Sequence, residues 1–249
     1  MDARPTHGVQ SVERAFELLE ILTDAGGEVM LSELATSTGL PLPTAHRLLR
    51  TLVGLGYVRQ LPNRRYALGS RLMILGDAAS KQLSTLAMPQ LSHLVKELGE
   101  TANMAMLDGD MVVYVAQVPS SHSMRMFTEI GRHVYTHTSG VGKAILAQLN
   151  DDRVRGIVTR AGMPTPTEKS LGTVADLLAD LERVRARGYS IDDNEQEVGV
   201  RCFAVAVPGM LTPTAISVSG PVSRIDDGFA SRAIPLLHAS AKIIGERLE

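Results

Sequence analysis

Tryptophan is absent from the 249 residues, aromatic residues make up only 4%, and Cys202 is the single cysteine. An intramolecular disulfide framework is therefore excluded, and such thiol usage fits a reducing cytosol. The chain is 44% apolar yet poor in rings, so its core has to be aliphatic. No run of 18 apolar residues occurs, which leaves no candidate membrane span. Met1–Gly8 has no apolar h-region, so no signal peptide is expected. His122, His133 and His137 lack a spacing that sets metal ligands on one element, so neither metal nor cofactor is expected. What these absences leave is a cytoplasmic α/β protein long enough for two modest domains.

A further absence is local. A net charge of −2 argues against nucleic acid only if charge is evenly spread. From Leu34 to Gly76 there is no Asp or Glu, but there are six arginines: Arg47, Arg50, Arg59, Arg64, Arg65 and Arg71. Surfaces that merely solvate a small domain mix both signs. An acid-free arginine stretch instead matches a phosphate backbone, with salt-dependent affinity from counterion release.

Periodicity gives that stretch a shape. Val12, Ala15, Phe16, Leu19 and Leu22 form a 3.6-residue stripe, read as the inner face of a first helix ended by Gly26 and Gly27. A short helix carrying Leu34 and Ala35 stops at Gly39, which suits a left-handed C′ position. A third helix, with Pro43 in its tolerated first turn, runs to about Leu55. Its inner face is Ala45, Leu48, Leu49, Leu52 and Val53, and its outer face is Thr44, His46, Arg47, Arg50 and Thr51. Short helix, glycine turn and polar helix make a helix-turn-helix pattern. Tyr57–Leu61 and Arg65–Leu68 then read as a hairpin around Pro62–Asn63, a wing with Arg64 and Arg65 at its tip.

Beyond residue 68 the pattern changes. Residues 69–85 read as a linker helix whose Leu72, Met73, Leu75 and Leu83 suit a linker or a dimer contact. Pro89 lies early in a separate helix to Leu98. Thr101–Leu107 and Met111–Val118 flank Asp108-Gly-Asp, a strong hairpin signal, and Ser123–Thr128 reads as a third strand. Gly140 and Gly142 open a helix, Val174–Arg187 is amphipathic, Val200–Pro208 and Thr214–Gly220 form a second hairpin, and Ser231–Leu248 is a final helix. Hairpins without a regular βαβ period exclude a Rossmann fold and predict a mainly antiparallel sheet covered by helices, an α+β class. The expected division is 8–68 for DNA binding, 69–85 as linker and 86–249 as a sensing domain.

The chain resembles the IclR (isocitrate lyase regulator) family over nearly its whole length. The resemblance rests on LSELATSTGLPLPTAHRLLRTLVGLGYVRQ (31–60), HTSGVGKAILA (137–147), GYSIDDNEQEVGVRCFAVAVPG (188–209) and ISVSGP (216–221). Two departures stand out: Phe203 replaces a smaller aliphatic residue, and the Gly209–Pro213 loop is shorter than usual. The resemblance implies a winged helix joined to a GAF/profilin-like effector domain, in a dimer or tetramer on a near-palindromic double-stranded operator. It also implies control of catabolic genes by a small organic or aromatic acid. The family holds both repressors and activators, so the resemblance does not carry the sign, and a repressor is the reading taken here. The implied pocket has three stretches. Gly140, Val141 and Gly142 offer backbone N–H groups at a helix start, where a carboxylate is favoured. Asp192 and Cys202 lie on the signature segment. Ser217 and Ser219 alternate on one strand and so share a face, with Met124, Met126 and Leu146 as apolar walls.

Each reading has a plainer rival. A Gly-x-Gly before a helix is often only a tight turn, and a lone cysteine is more often a buried small hydrophobe than a reactive thiol. A helix-turn-helix fused to an enzyme that uses Cys202 on a small acid is the alternative from another class. No histidine neighbours Cys202 in sequence, and no known nucleophile signature surrounds it.

Overall fold

A computed structural model describes residues 8–126 and 128–248. Met1–His7, on which the signal-peptide expectation rests, lie outside the described residues, as does the Leu83 side chain. The chain divides into two compact units at Ala79/Ser80.

In the first unit, α1 (Gln10–Asp24), α2 (Leu31–Thr38) and α3 (Leu42–Leu55) are followed by β1 (Val58–Gln60) and β2 (Tyr66–Leu68). Leu18, Leu19, Leu22, Leu34, Leu49, Leu52, Val58 and Tyr66 close one aliphatic cluster. The stripe read on α1 is rotated from expectation, because Leu18 joins Leu19 and Leu22 inside while Val12 and Phe16 stand exposed. Gly39 takes φ +64° between α2 and α3, a conformation that costs other L-residues about 1–2 kcal/mol. Antiparallel pairing of Val58 with Leu68 builds the wing. Val29 extends it by exchanging backbone hydrogen bonds with Tyr66 at 2.8 and 2.9 Å. Gly69 passes so close to α3 that a Cβ there would overlap the Gly56 carbonyl oxygen.

One helix, α4 (Arg71–Leu98), replaces the expected linker and separate following helix, with Pro89 inside it. Proline forfeits one backbone hydrogen bond there, and burial of Leu91, Leu94 and Leu98 beneath the sheet holds the helix together across it.

The second unit is built on a six-stranded, wholly antiparallel sheet of β3 (Thr101–Asp108), β4 (Met111–Val118), β5 (His133–Tyr135), β6 (Ser190–Asp193), β7 (Val200–Val207) and β8 (Thr214–Pro221), in the order β5-β4-β3-β8-β7-β6. The expected third strand is displaced: 123–126 and 128 are in no strand, residue 127 is outside the described set, and β5 pairs with β4 instead. Met104, Phe203, Val205, Ile216 and Val218 form one face, packed on α4 and on α8 (Asp227–Leu248). The other face lies under α5 (Gly140–Leu146), behind which pack α6 (Asp151–Ala161) and α7 (Val174–Arg187). This is the expected α+β class: a winged helix-turn-helix unit followed by a helix-covered antiparallel sheet.

The Gly69 contact yields a test. Gly69→Ala should lower the stability of the first unit by about 2 kcal/mol or more, the range of backbone overpacking. Calorimetric unfolding of the full chain should show the smaller unit's transition falling while the larger unit's stays in place.

Candidate functional site

The outer face of α3 emerges as expected, because Ala45, Leu49 and Leu52 take the inner face. His46, Arg47, Arg50 and Thr51 are exposed and Thr44 is half-buried. A groove of about 750 Å³ runs between the starts of α2 and α3 and the wing, with His46, Gln60, Asn63 and Arg64 on its walls. Arg64 is exposed and holds φ +65° in the wing turn. Arg65 differs from its neighbour. Its Nη1 donates to the Glu28 carbonyl at 2.8 Å, while Asn63 Nδ2 reaches the Glu28 carboxylate at 2.8 Å. Arg65 is thus partly committed to fastening the wing, and Arg64 is the arginine left facing outward.

In the second unit, residues paired across antiparallel strands share a sheet face. Thr101 pairs with Ser219, Asn103 with both Ser217 and Gln117, Ser219 with Cys202, and Cys202 with Asp192. A band of polar side chains from five strands therefore lies on the α5 side. The start of α5 rests directly on it: Ser190 Oγ donates to the Gly140 carbonyl at 2.6 Å, and a Cβ on Gly140 would stand 2.8 Å from Cys202 Sγ.

Of the implied pocket residues, the structure brings Gly140, Val141, Asp192, Cys202, Ser217 and Ser219 together, and corrects others. The Gly142 amide is already capped, donating to Ser139 Oγ at 3.1 Å, and a Cβ there would overlap the Thr136 carbonyl. That glycine serves close packing rather than an anion. Leu146 points away from the sheet into the cluster with Val154, Ile157 and Leu181, since the turn that puts Val141 and Ile145 inward turns Leu146 outward. Met124 is 72% exposed and is anchored through its carbonyl, which accepts from Arg224 Nη2 at 2.9 Å. Met126 is nearer the band, its carbonyl accepting from Thr101 Oγ1 at 3.3 Å.

Electrostatics follow from burial. Asp192 Oδ1 accepts the amides of Glu195 at 2.8 Å and Gln196 at 3.3 Å. Burial nevertheless pushes its carboxyl up to about 7, with the Glu195 charge adding and the amides and Lys143 opposing. Burial likewise raises the Tyr114 phenol and lifts the Cys202 thiol to about 12, with Asp192 adding in both cases. A thiol so protonated is no nucleophile near neutrality. His137 is held below its ordinary value by burial, and its Nε2 lies 2.9 Å from the Pro164 carbonyl.

Sequence reasoning missed the largest feature, the Lys143 ammonium, 1% exposed, between Glu195 at 2.6 Å and Asp180 at 3.1 Å. The available signal was a lysine inside an apolar run, Gly-Lys-Ala-Ile-Leu. Asn103 and Gln117 were missed as well.

An exposed arginine-bearing recognition helix with a wing, followed by a separate unit with a polar face buried inside it, defines a DNA-binding transcriptional regulator. The model of the IclR helix-turn-helix domain matches residues 11–62, and that of the C-terminal domain of bacterial transcriptional regulators of the IclR type matches residues 77–246. The chain belongs to the IclR family. It is 40% identical over 232 residues to the transcriptional repressor IclR of Escherichia coli K12, covering 90% of this chain and 85% of that one. It is 34% identical over 255 residues to the transcriptional repressor AllR of Salmonella typhi, covering 99% and 93%. The crystal structure of RHA06195 from Rhodococcus sp. RHA1 is 31% identical with a TM-score of 0.65, covering 96% of this chain and 98% of that one. Relatives named repressors and regulators make this chain a regulator rather than an enzyme, and the thiol-enzyme alternative falls. Among the described residues, no helix is long and apolar enough to cross a membrane.

Asp192 supplies a pH test. Its carboxyl moves from 3.8 to about 7 on folding, so the fold favours the neutral form and Asp192 destabilises progressively as pH rises between those values. Asp192→Asn keeps the oxygen that accepts the two amides. Its stability relative to the parent should rise from pH 4 to pH 7 and level off above, as read by urea unfolding; a difference independent of pH refutes the assignment.

Proposed function

We propose that this regulator grips a near-palindromic double-stranded operator through Thr44, His46, Arg47, Arg50 and Thr51 of α3 and Arg64 of the wing. Arg65 supports the wing. The observation that carries this reading is the exposed outer face of α3 inside an acid-free stretch of 43 residues, 34–76. An arginine in the major groove recognises guanine with two hydrogen bonds, whereas a wing arginine beside the groove meets phosphate. Residues 69–85 serve as the linker of this arrangement, and residues 86–249 as the sensing domain.

The sensing domain takes a small carboxylate-bearing metabolite from a catabolic route against Ser217, Ser219 and the Gly140–Val141 turn. Cys202 and Met126 give shape, and Asp192 faces the ligand in its neutral form. Support comes from the band of buried polar side chains and from the high value of Asp192, which spares an anion the repulsion of a second one. Ligand binding alters operator affinity, and repression of the target genes is the expected sign.

Self-association completes the reading. Val12, at 52% exposure, and Phe16, at 61%, lie on α1, and Met73, Ile74 and Leu75, at 76, 70 and 52%, lie on α4. These exposed apolar side chains of the first unit are the candidates for a self-contact, and a two-fold protein suits a two-fold operator.

Arg47→Ala should weaken operator binding by about 1–3 kcal/mol and relax selectivity at one base position, while Arg64→Ala should weaken all sequences about equally. Gel-shift titrations across salt concentration measure both, and unchanged affinity in both variants overturns the docking. Phe16→Glu should shift sedimentation toward monomer; an unshifted oligomer places the contact elsewhere.

A further inference from the structure

Beneath Ser219, two carboxamides form a chain across three strands. Gln117 Nε2 donates to Asn103 Oδ1 at 3.1 Å, and Asn103 Nδ2 donates to Ser219 Oγ at 3.1 Å. Asn103 is 1% exposed and Ser219 is 5% exposed. A carboxamide has one accepting and one donating end, so the orientation of Gln117 sets that of Asn103. With its NH₂ turned to Ser219, Asn103 occupies a lone pair of the hydroxyl and leaves its proton free to point elsewhere. No acceptor for that proton is found among the described residues. Ser217, directly across from Asn103, has a buried hydroxyl that interacts with the Cys202 thiol. The buried cation of α5 is not available here, because Lys143 is held by Glu195 and Asp180.

We propose that Gln117 and Asn103 are positioning residues that leave the Ser219 proton free for a ligand, so that the site donates a hydrogen bond to an acceptor group, a carboxylate or ketone oxygen. The inference rests on the effector-site reading above and adds to it what fixes the polarity of the site. Were the chain reversed, Ser219 would donate to Asn103 Oδ1 and offer a ligand only lone pairs. Gln117→Glu imposes that reversal, since an ionised carboxylate only accepts and draws the Asn103 NH₂ toward itself. Gln117→Leu merely removes the orienting group.

The test is calorimetric titration of the full chain with propionate, lactate, pyruvate and benzoate. The tightest of these is compared with the ketone in which a methyl group replaces its carboxylate oxygen. Gln117→Glu should weaken acid and ketone alike by roughly tenfold or more, the scale of one hydrogen bond lost in a buried site. Gln117→Leu should weaken both by less, and both variants should melt near the parent temperature. Equal or greater loss in Gln117→Leu would reveal a packing role and overturn the proposal. Loss confined to the acid would assign the effect to repulsion by the new charge and overturn it too. If none of the acids binds, or if Ser217→Ala/Ser219→Ala binds as the parent does, the effector-site reading fails and this inference falls with it. If that double variant loses binding while Gln117→Glu retains it, only the positioning chain is refuted.

Discussion

The second unit is organised around one buried cation. Lys143 comes from α5, Asp180 from α7, and Glu195 from the loop between β6 and β7, and the three meet at 2.6 and 3.1 Å. Burying such charges gains little net stability, because desolvation offsets attraction; removing a single partner leaves an uncompensated charge and costs about 3–5 kcal/mol. The cluster therefore works as a constraint on arrangement. The loop that brings Glu195 is held on both sides of that residue: Asp192 takes its amide at 2.8 Å, and Ser170 and Thr167 donate to its carbonyl at 2.6 and 3.2 Å. Asn194, at φ +62°, receives the Gly199 amide at 2.7 Å through its side chain. Slack in any of these contacts moves the carboxylate off the ammonium.

With α5 fixed, the two faces of the sheet acquire separate roles. On the α8 side, aliphatic and phenyl groups form a continuous core. On the α5 side, the same strands present Thr101, Asn103, Gln117, Asp192, Ser217 and Ser219. Strand alternation permits this division because successive side chains point to opposite faces. Both faces bury apolar groups, and the α5 side holds its polar band beside its own aliphatic cluster.

The sequence made much of this visible, and the losses have physical causes. The helix-turn-helix was legible because its signals are local: a 3.6-residue stripe, Gly39 at a left-handed turn and a run without acids. Ser217 and Ser219 were placed on one face by alternation alone. The strand expected at 123–128 failed because apolar content there serves a crossing loop tied down by the carbonyls of Met124 and Met126. Pro89 misled because proline punctuates isolated helices, whereas tertiary burial of Leu91 and Leu94 carries α4 through it. Leu146 was assigned to the wrong side because one residue of helical rotation, about 100°, decides between sheet and α7. Lys143 and its carboxylates lie 37 and 52 residues apart in the chain, a separation at which no local pattern speaks.

Some buried polar atoms have no protein hydrogen-bond partner among the described residues. Such atoms are few in folded proteins, and each costs about 1–3 kcal/mol. The hydroxyls of Thr128 and Thr136 and the Nδ1 of His137 share this condition among the described residues, whereas Asp180 is answered by Lys143 and the Ser217 hydroxyl meets the Cys202 thiol. Ser217 lies on β8, Thr136 and His137 lie between β5 and α5, Thr128 lies between β4 and β5, and none belongs to the apolar core on the α8 side. A ligand that meets the Ser217 hydroxyl would add a partner to a group that otherwise meets only the Cys202 thiol. The same ligand changes operator binding only if it meets that hydroxyl better in one conformation than in another. Thr101 and Arg224 hold the Met126 and Met124 carbonyls by single hydrogen bonds, at 3.3 and 2.9 Å, while α5 is fixed through its own buried charge.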